Sequence, residues 1–160
     1  MLIIRPWQES DRPFLRTLFL HSRRANWTWL DGSDWKLEDF DATTIGEVIW
    51  VAEMNGHRQG FAAVHVNENF LHSLFVDPGC QGQGVGSALL HKVQAEFTGT
   101  GALKCLTRND KALAFYLHHG WHVEAEGVSP QGDYLLLHYR LPSRAAGLSP
   151  TGRGKRSRSG

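Results

Sequence analysis

The chain has 160 residues, 41% of them hydrophobic and 21% charged, with a formal net charge of +1, which suits one globular domain with its own core and makes a disulfide scaffold unnecessary. No apolar run nears the roughly 20 residues of a bilayer span, the start lacks the basic-then-apolar pattern of a secretory leader, and Cys80 and Cys105 stand far apart, as reduced thiols of a cytoplasmic protein do. The charge is uneven: residues 1–142 carry 12 Lys/Arg against 16 Asp/Glu, a net of −4, while Arg144, Arg153, Lys155, Arg156 and Arg158 fall in a Gly/Ser-rich stretch. Residues 1–142 are therefore expected to form the single domain and residues 143–160 a disordered basic tail.

In chain order, residues 2–5 read as a first strand. Ser10, Asp11 and Pro13 mark a helix start, and Phe14, Leu15, Leu18 and Phe19 recur at helical spacing, which predicts an amphipathic helix over 11–23. An irregular aromatic segment follows, with Trp27, Trp29 and Trp35 beside Asp31 and Asp34, and a short helix is expected near 35–40. Residues 47–54 and 59–66 are β-prone runs joined at Asn55-Gly56, a strong hairpin signal. A turn at Asn67-Glu68-Asn69 leads to a third run over 70–76. A glycine-rich turn then opens a helix over about 84–97, with Val85, Leu89, Leu90 and Val93 on one face. A strand at 102–107, a helix capped by Asn109 or Asp110 and ended by Gly120, and an antiparallel pair at 121–125 and 134–141 complete the pattern. The order β-α-(α)-β-β-β-α-β-α-β-β predicts an α/β (α+β) protein whose central mixed sheet is mostly antiparallel and flanked by helices.

The chemistry concentrates where the third run meets the glycine turn, Val76-Asp77-Pro78-Gly79-Cys80-Gln81-Gly82-Gln83-Gly84-Val85-Gly86-Ser87. Backbone amides gathered at a helix start, unobstructed by side chains, form a cradle for phosphate. Three phosphate signatures compete for it. A P-loop requires lysine after its last glycine, where this chain has Val85. A dinucleotide fingerprint requires a third glycine, where this chain has Ser87, and an acidic residue after the next strand, where it has Arg108. The third, Gln81-x-x-Gly84-x-Gly86 entering a helix, resembles the acetyl-CoA loop of the GNAT superfamily of N-acetyltransferases. Asn109-Asp110-Lys111-Ala112-Leu113-Ala114-Phe115-Tyr116, closing on Gly120-Trp121, resembles that superfamily's second motif, with Trp121 where phenylalanine is usual. The resemblance covers roughly residues 2–140, and only in outline before Glu47.

What the resemblance implies is specific. Acetyl-CoA is the cosubstrate, with its pyrophosphate on the amides of Gln81, Gly82, Gln83, Gly84, Val85, Gly86 and Ser87, and its pantetheine along Leu74, Phe75 and Val76. A strand amide near Leu74 holds the thioester oxygen. Asn109 contacts the cofactor, caps its helix, or does both. The amine attacks directly in a ternary complex, so neither cysteine is needed as nucleophile. Tyr116 aligns with the family's general acid toward the departing thiolate; packing in the core is the alternative. His72, placed by strict alternation on one face with Leu74 and Val76, is the candidate base, or else a half-buried structural histidine. The acceptor pocket falls to the segment between the first two strands together with the last hairpin. Trp27 and Trp29 there suit a cationic amine, small-molecule or peptide; packing is the alternative. No metal is expected, because Gly120 ends the helix between His118 and His122. A catalytically silent acetyl-CoA-binding sensor or interaction module is the second functional reading. No membrane partner is expected, a nucleic-acid partner is disfavoured by the acidic body, and a homodimer stays open.

Overall fold

Alternating apolar residues and tight turns lay the middle of the chain down as antiparallel sheet, and the computed structural model describes residues 1–142 of the resulting structure. The basic tail expected at 143–160 lies outside the described residues. The elements are β1 (Leu2–Pro6), α1 (Arg12–Asn26), α2 (Asp39–Thr43), β2 (Val48–Met54), β3 (His57–His65), β4 (Phe70–Val76), α3 (Val85–Glu96), β5 (Gly101–Leu106), α4 (Asp110–His118), β6 (His122–Ser129) and β7 (Gly132–Tyr139). They form one seven-stranded sheet in the order β1-β2-β3-β4-β5-β7-β6. Every neighbouring pair is antiparallel except β4 with β5, so the predicted mixed, mostly antiparallel α/β architecture is the one found. No helix among the described residues is long and apolar enough to cross a membrane.

The helices form a layer on each face. Val85, Leu89, Leu90 and Val93 of α3 and Tyr116 of α4 pack with Ala52, Ala62 and Leu71. On the opposite face Leu15, Leu18 and Phe19 of α1 and Phe40 of α2 pack with Val51, Phe61 and Ala63. The period of two along β2 and β3 sends alternate residues to the two layers. Asn55 and Gly56 take φ of 52° and 83° at the β2–β3 turn, the left-handed pair whose twist matches the strands on either side.

Two elements differ from the sequence reading. The helix expected near 35–40 begins only at Asp39, because Trp35 is held in a turn by its amide to the Gly32 carbonyl and lies edge-on to Trp27, centroids 6.0 Å apart. The last hairpin is longer than expected, since β6 runs through Gly127 to Ser129. The Tyr134 ring covers Gly127 so closely that a Cβ there would lie 2.3 Å from its Cζ. The aromatic thus supplies the packing that glycine lacks within a strand.

Strand β4 contains the irregularity that matters most. Ala63 pairs with Ser73 and Val64 with Leu71, so His72 is an extra, bulged residue. The bulge shifts the alternation, and Leu71 joins Leu74 and Val76 in the α3 layer. The expectation that strict alternation places His72 on that face is corrected accordingly. On its other edge β4 meets β5 through a single parallel pair, Phe70 with Ala102, and beyond it the two strands part.

A buried carboxylate fastens β1 to the start of α1. Asp11 has no exposed side-chain surface. It accepts two hydrogen bonds from Arg5 at 2.9 Å, one from Arg58 Nε at 2.6 Å and one from the Gln8 amide at 2.7 Å. The Arg5 guanidinium, above all, holds the Asp11 carboxyl far below the ordinary range. Its contribution to stability is complete above the unfolded-state pKa of about 3.9 and is lost as pH falls below that value. Replacing Asp11 by Asn should cost about 3 kcal/mol at pH 7 in denaturant titration, and the difference from wild type should shrink as pH is lowered below 4.

Candidate active site

The parting of β4 and β5 opens a cavity of ≈ 480 Å³ that runs through the sheet. Ser22 and Asn26 of α1 and Trp27 just after it bound one side, while Ala112, Phe115 and Tyr116 of α4 bound the other. Leu74, Phe75 and Val76 form one wall. Here β4 bonds to β3 but has no strand partner on its β5 side, so that edge offers backbone donors and acceptors to an extended ligand. Phe75 reaches the cavity with its ring packed against Phe19 and Phe61, centroids 5.4 and 5.8 Å away.

The glycine turn closes one end. Asp77 fixes its start: the Asp77 amide donates to the Gln59 carbonyl at 2.8 Å, and its carboxylate accepts from the Gly79 amide at 2.9 Å. Gly82 and Gly84 take φ of 86° and 79°, a region that costs other L-residues about 1–2 kcal/mol. Gly84 is the N-cap of α3 and has no side chain with which to cap it. The first intrahelical bond runs from the Ala88 amide to the Gly84 carbonyl at 3.0 Å. The amides of Val85, Gly86 and Ser87 precede it without a helical acceptor, and all three residues, with Gln81, Gly82 and Gly84, line the cavity. The positive end of α3 and these donors suit an anion such as a pyrophosphate. Gln83 is not part of the lining.

Ser87 has a second task. Its hydroxyl lies 2.9 Å from His119 Nε2, while His119 Nδ1 lies 2.9 Å from the Phe115 carbonyl. A carbonyl only accepts, so Nδ1 carries the proton, and in that tautomer Nε2 accepts from the Ser87 hydroxyl. This relay ties the first turn of α3 to the end of α4 across the site. Asn109 caps α4 by accepting from the Ala112 amide at 3.3 Å and also lines the cavity.

Tyr116 is 9% exposed, and its hydroxyl makes no hydrogen bond to the described residues. Burial pushes its phenol well above the ordinary tyrosine range, so it stays protonated at neutral pH. The thiols are likewise protonated there: burial raises Cys80, at the rim, and pushes buried Cys105 up to about 11.

His72 lies outside the cavity lining. Its Nδ1 is 2.6 Å from Oε2 of Glu47, whose side chain is only 4% exposed, while the imidazole itself is 44% exposed. The other carboxylate oxygen of Glu47 is buried without a partner among the described residues. Of the two tryptophans, Trp27 lines the cavity and also a smaller pocket of ≈ 360 Å³ formed by residues 24–35. Trp29 does neither; its Nε1 donates to the Gln131 carbonyl at 3.0 Å, which joins the segment between β1 and β2 to the tip of the last hairpin.

Sequence reasoning missed Ser22, Asn26, Lys111 and Glu47. Lys111 stands two positions beyond Asn109 at the start of α4 and lines the cavity, a placement legible from the motif. Ser22 belongs to α1, whose apolar stripe hides it, and its buried hydroxyl has no partner among the described residues. Glu47 precedes β2 by one residue, and nothing local points from it to His72.

Residues 46–123 match the family model of the acetyltransferase (GNAT) domain. The chain is 29% identical over 126 residues to the peptidyl-lysine N-acetyltransferase YiaC of Escherichia coli K12, across 76% of this chain and 84% of that protein. The solution structure of apo-form YjaB from Escherichia coli shares the fold with a TM-score of 0.72 at 22% identity, covering 87% of this chain and 97% of that one. The PaiA N-acetyltransferase of Thermoplasma acidophilum, solved in complex with coenzyme A, superposes with a TM-score of 0.69 at 16% identity, covering 88% and 99%.

Positive φ at the N-cap predicts unequal effects along the loop. Gly84→Ala should lower stability by about 1–2 kcal/mol in denaturant titration. A Cβ at Gly86 meets Phe115 and Val76 at ordinary contact distances of 3.5–3.7 Å, so Gly86→Ala should leave stability within about 0.5 kcal/mol of wild type.

Proposed function

The chain belongs to the GNAT superfamily of acetyltransferases, and from that premise we propose that it moves the acetyl group of acetyl-CoA onto a primary amine by direct attack in a ternary complex. The observation that carries the proposal is one cavity combining main-chain donors at the start of α3, an unpartnered strand edge at Leu74 to Val76 and the Tyr116 phenol. Acetyl-CoA supplies the acetyl group as an activated thioester. The amides of Val85, Gly86 and Ser87, with the loop that precedes them, hold the pyrophosphate. The edge of β4 pairs with the pantetheine, and an amide near Leu74 donates to the thioester oxygen. Asn109 and Lys111 border the same ligand.

Tyr116 is the general acid: its phenol is protonated at neutral pH and has no competing partner among the described residues, so it can pass its proton to the sulfur as the C–S bond breaks. Protonated Cys80 and Cys105 fit direct attack rather than an acyl-enzyme. His72 serves as base at one remove. Glu47 accepts from Nδ1–H and so fixes the tautomer, leaving Nε2 to take the amine's proton through water. The acceptor enters from the α1 side, past Trp27 and Asn26. Similarity to a peptidyl-lysine N-acetyltransferase and the net −4 of residues 1–142 favour a lysine side chain of a peptide as acceptor.

Thiol release from acetyl-CoA, followed across lysine peptides, peptide N-termini and small polyamines, tests the reaction and names the acceptor. Saturable acetyl-CoA binding with no amine-dependent release would favour the sensor module instead. Tyr116→Phe should lower kcat by ~10²–10⁴-fold, with acetyl-CoA affinity little changed. His72→Ala should lower kcat/KM by ~10²-fold or more, and Glu47→Gln, which removes the carboxylate that holds the imidazole, should lower it less. Unchanged kcat/KM in His72→Ala makes His72 structural.

A further inference from the structure

The last hairpin carries a cluster remote from this chemistry. His122 on β6 and His138 on β7 are register partners, with ring centroids 6.3 Å apart. β6 bulges at Glu124, since Val123 pairs with Leu137 and Ala125 with Leu136. The bulge brings Oε1 of Glu124 to 3.6 Å from His122 Nε2 and 3.6 Å from His138 Nδ1. One ligand atom from each of the three residues lies within 4.8 Å of the other two. His122 Nε2 is itself shielded from solvent and hydrogen-bonded to nothing among the described residues. The neighbours Leu135, Leu137 and Tyr139 of β7 pack into the α3 layer, so alternation sets His138 on the other face.

We propose that His122, Glu124 and His138 form a binding site for a divalent borderline transition metal, with Zn²⁺ as the type ion, that clamps edge strand β6 to β7. Two imidazoles and one carboxylate are a donor set that zinc accepts, with a fourth position left to water. Bonds of about 2.0–2.2 Å in a tetrahedron put neighbouring donors roughly 3.3–3.6 Å apart. The two carboxylate–imidazole separations therefore need to close by at most a few tenths of an ångström. The carboxylate offsets part of the ion's charge, and the buried, unpartnered His122 nitrogen gains the partner it lacks. β6 is the outermost strand of the sheet, held along one side only, so a clamp there acts where pairing is weakest. Sequence reasoning passed over the site because it tested His122 against His118 along the chain, whereas the partner stands across the hairpin.

The test uses the full, untagged chain freed of metal by chelation. Calorimetric titration with Zn²⁺ should give one ion per chain, Co²⁺ should give the intense visible bands of a four-coordinate centre, and Zn²⁺ should raise the thermal midpoint. His122→Ala and His138→Ala should each weaken Zn²⁺ binding by ~10²-fold or more. Glu124→Gln, a change at a half-exposed position, should weaken it while keeping the wild-type midpoint in chelator. Absence of saturable binding overturns the proposal. So does binding that survives all three substitutions, which would move the ion to the imidazoles of His91, His118 or His119.

Discussion

The site depends on β4 letting go of β5. The two strands share one parallel pair, at Phe70 and Ala102, and the bulge at His72 turns β4 just beyond it. Had the ladder continued, Leu74 to Val76 would spend their outer backbone groups on β5, and the cavity would be closed sheet. Because it stops, a strand edge inside the protein is left open for a ligand. Edges of this kind are usually a hazard at a protein's surface; here Phe115 and Tyr116 of α4 and the end of α1 screen it.

Charge at the site is managed by the backbone more than by side chains. Among its lining residues Lys111 is the one cation, while the described body is net negative. The features that suit an anion are the amides at the start of α3 and the helix dipole. The Ser87 hydroxyl and the Asn109 side chain are engaged in tying α3 to α4 and in capping α4. What they offer a ligand beyond that is their position. Tyr116 differs in having a hydroxyl with no hydrogen-bond partner among the described residues, which leaves it free for the proton donation proposed for it.

Much of this was legible in the sequence because local chemistry forces it. Asn55-Gly56 can hardly be anything but a tight hairpin, and Gly82 and Gly84 stand where left-handed backbone is needed. The apolar stripe of α3 fell on Val85, Leu89, Leu90 and Val93, all of which are buried. What escaped was set by partners distant in sequence. No residue near His72 announces that β3 skips it. Glu47 reaches His72 across 25 positions, and Gly127 reads as a strand breaker until the Tyr134 ring is laid over it. Trp35 reads as a helix start until Trp27 is set against it. The sequence points to β4, the loop and α4 for the site but not to α1, since a pattern that predicts burial says nothing about an opening that passes beside it.

Recognition through peptide groups has an evolutionary corollary. A cradle of amides survives the exchange of nearly every side chain around it, provided the turn can still bend and the strands still diverge. Proteins that share 22% and 16% of their residues with this chain keep its fold at TM-scores of 0.72 and 0.69. Drift can thus rewrite the side chains that surround such a cradle while the backbone that forms it stays in place.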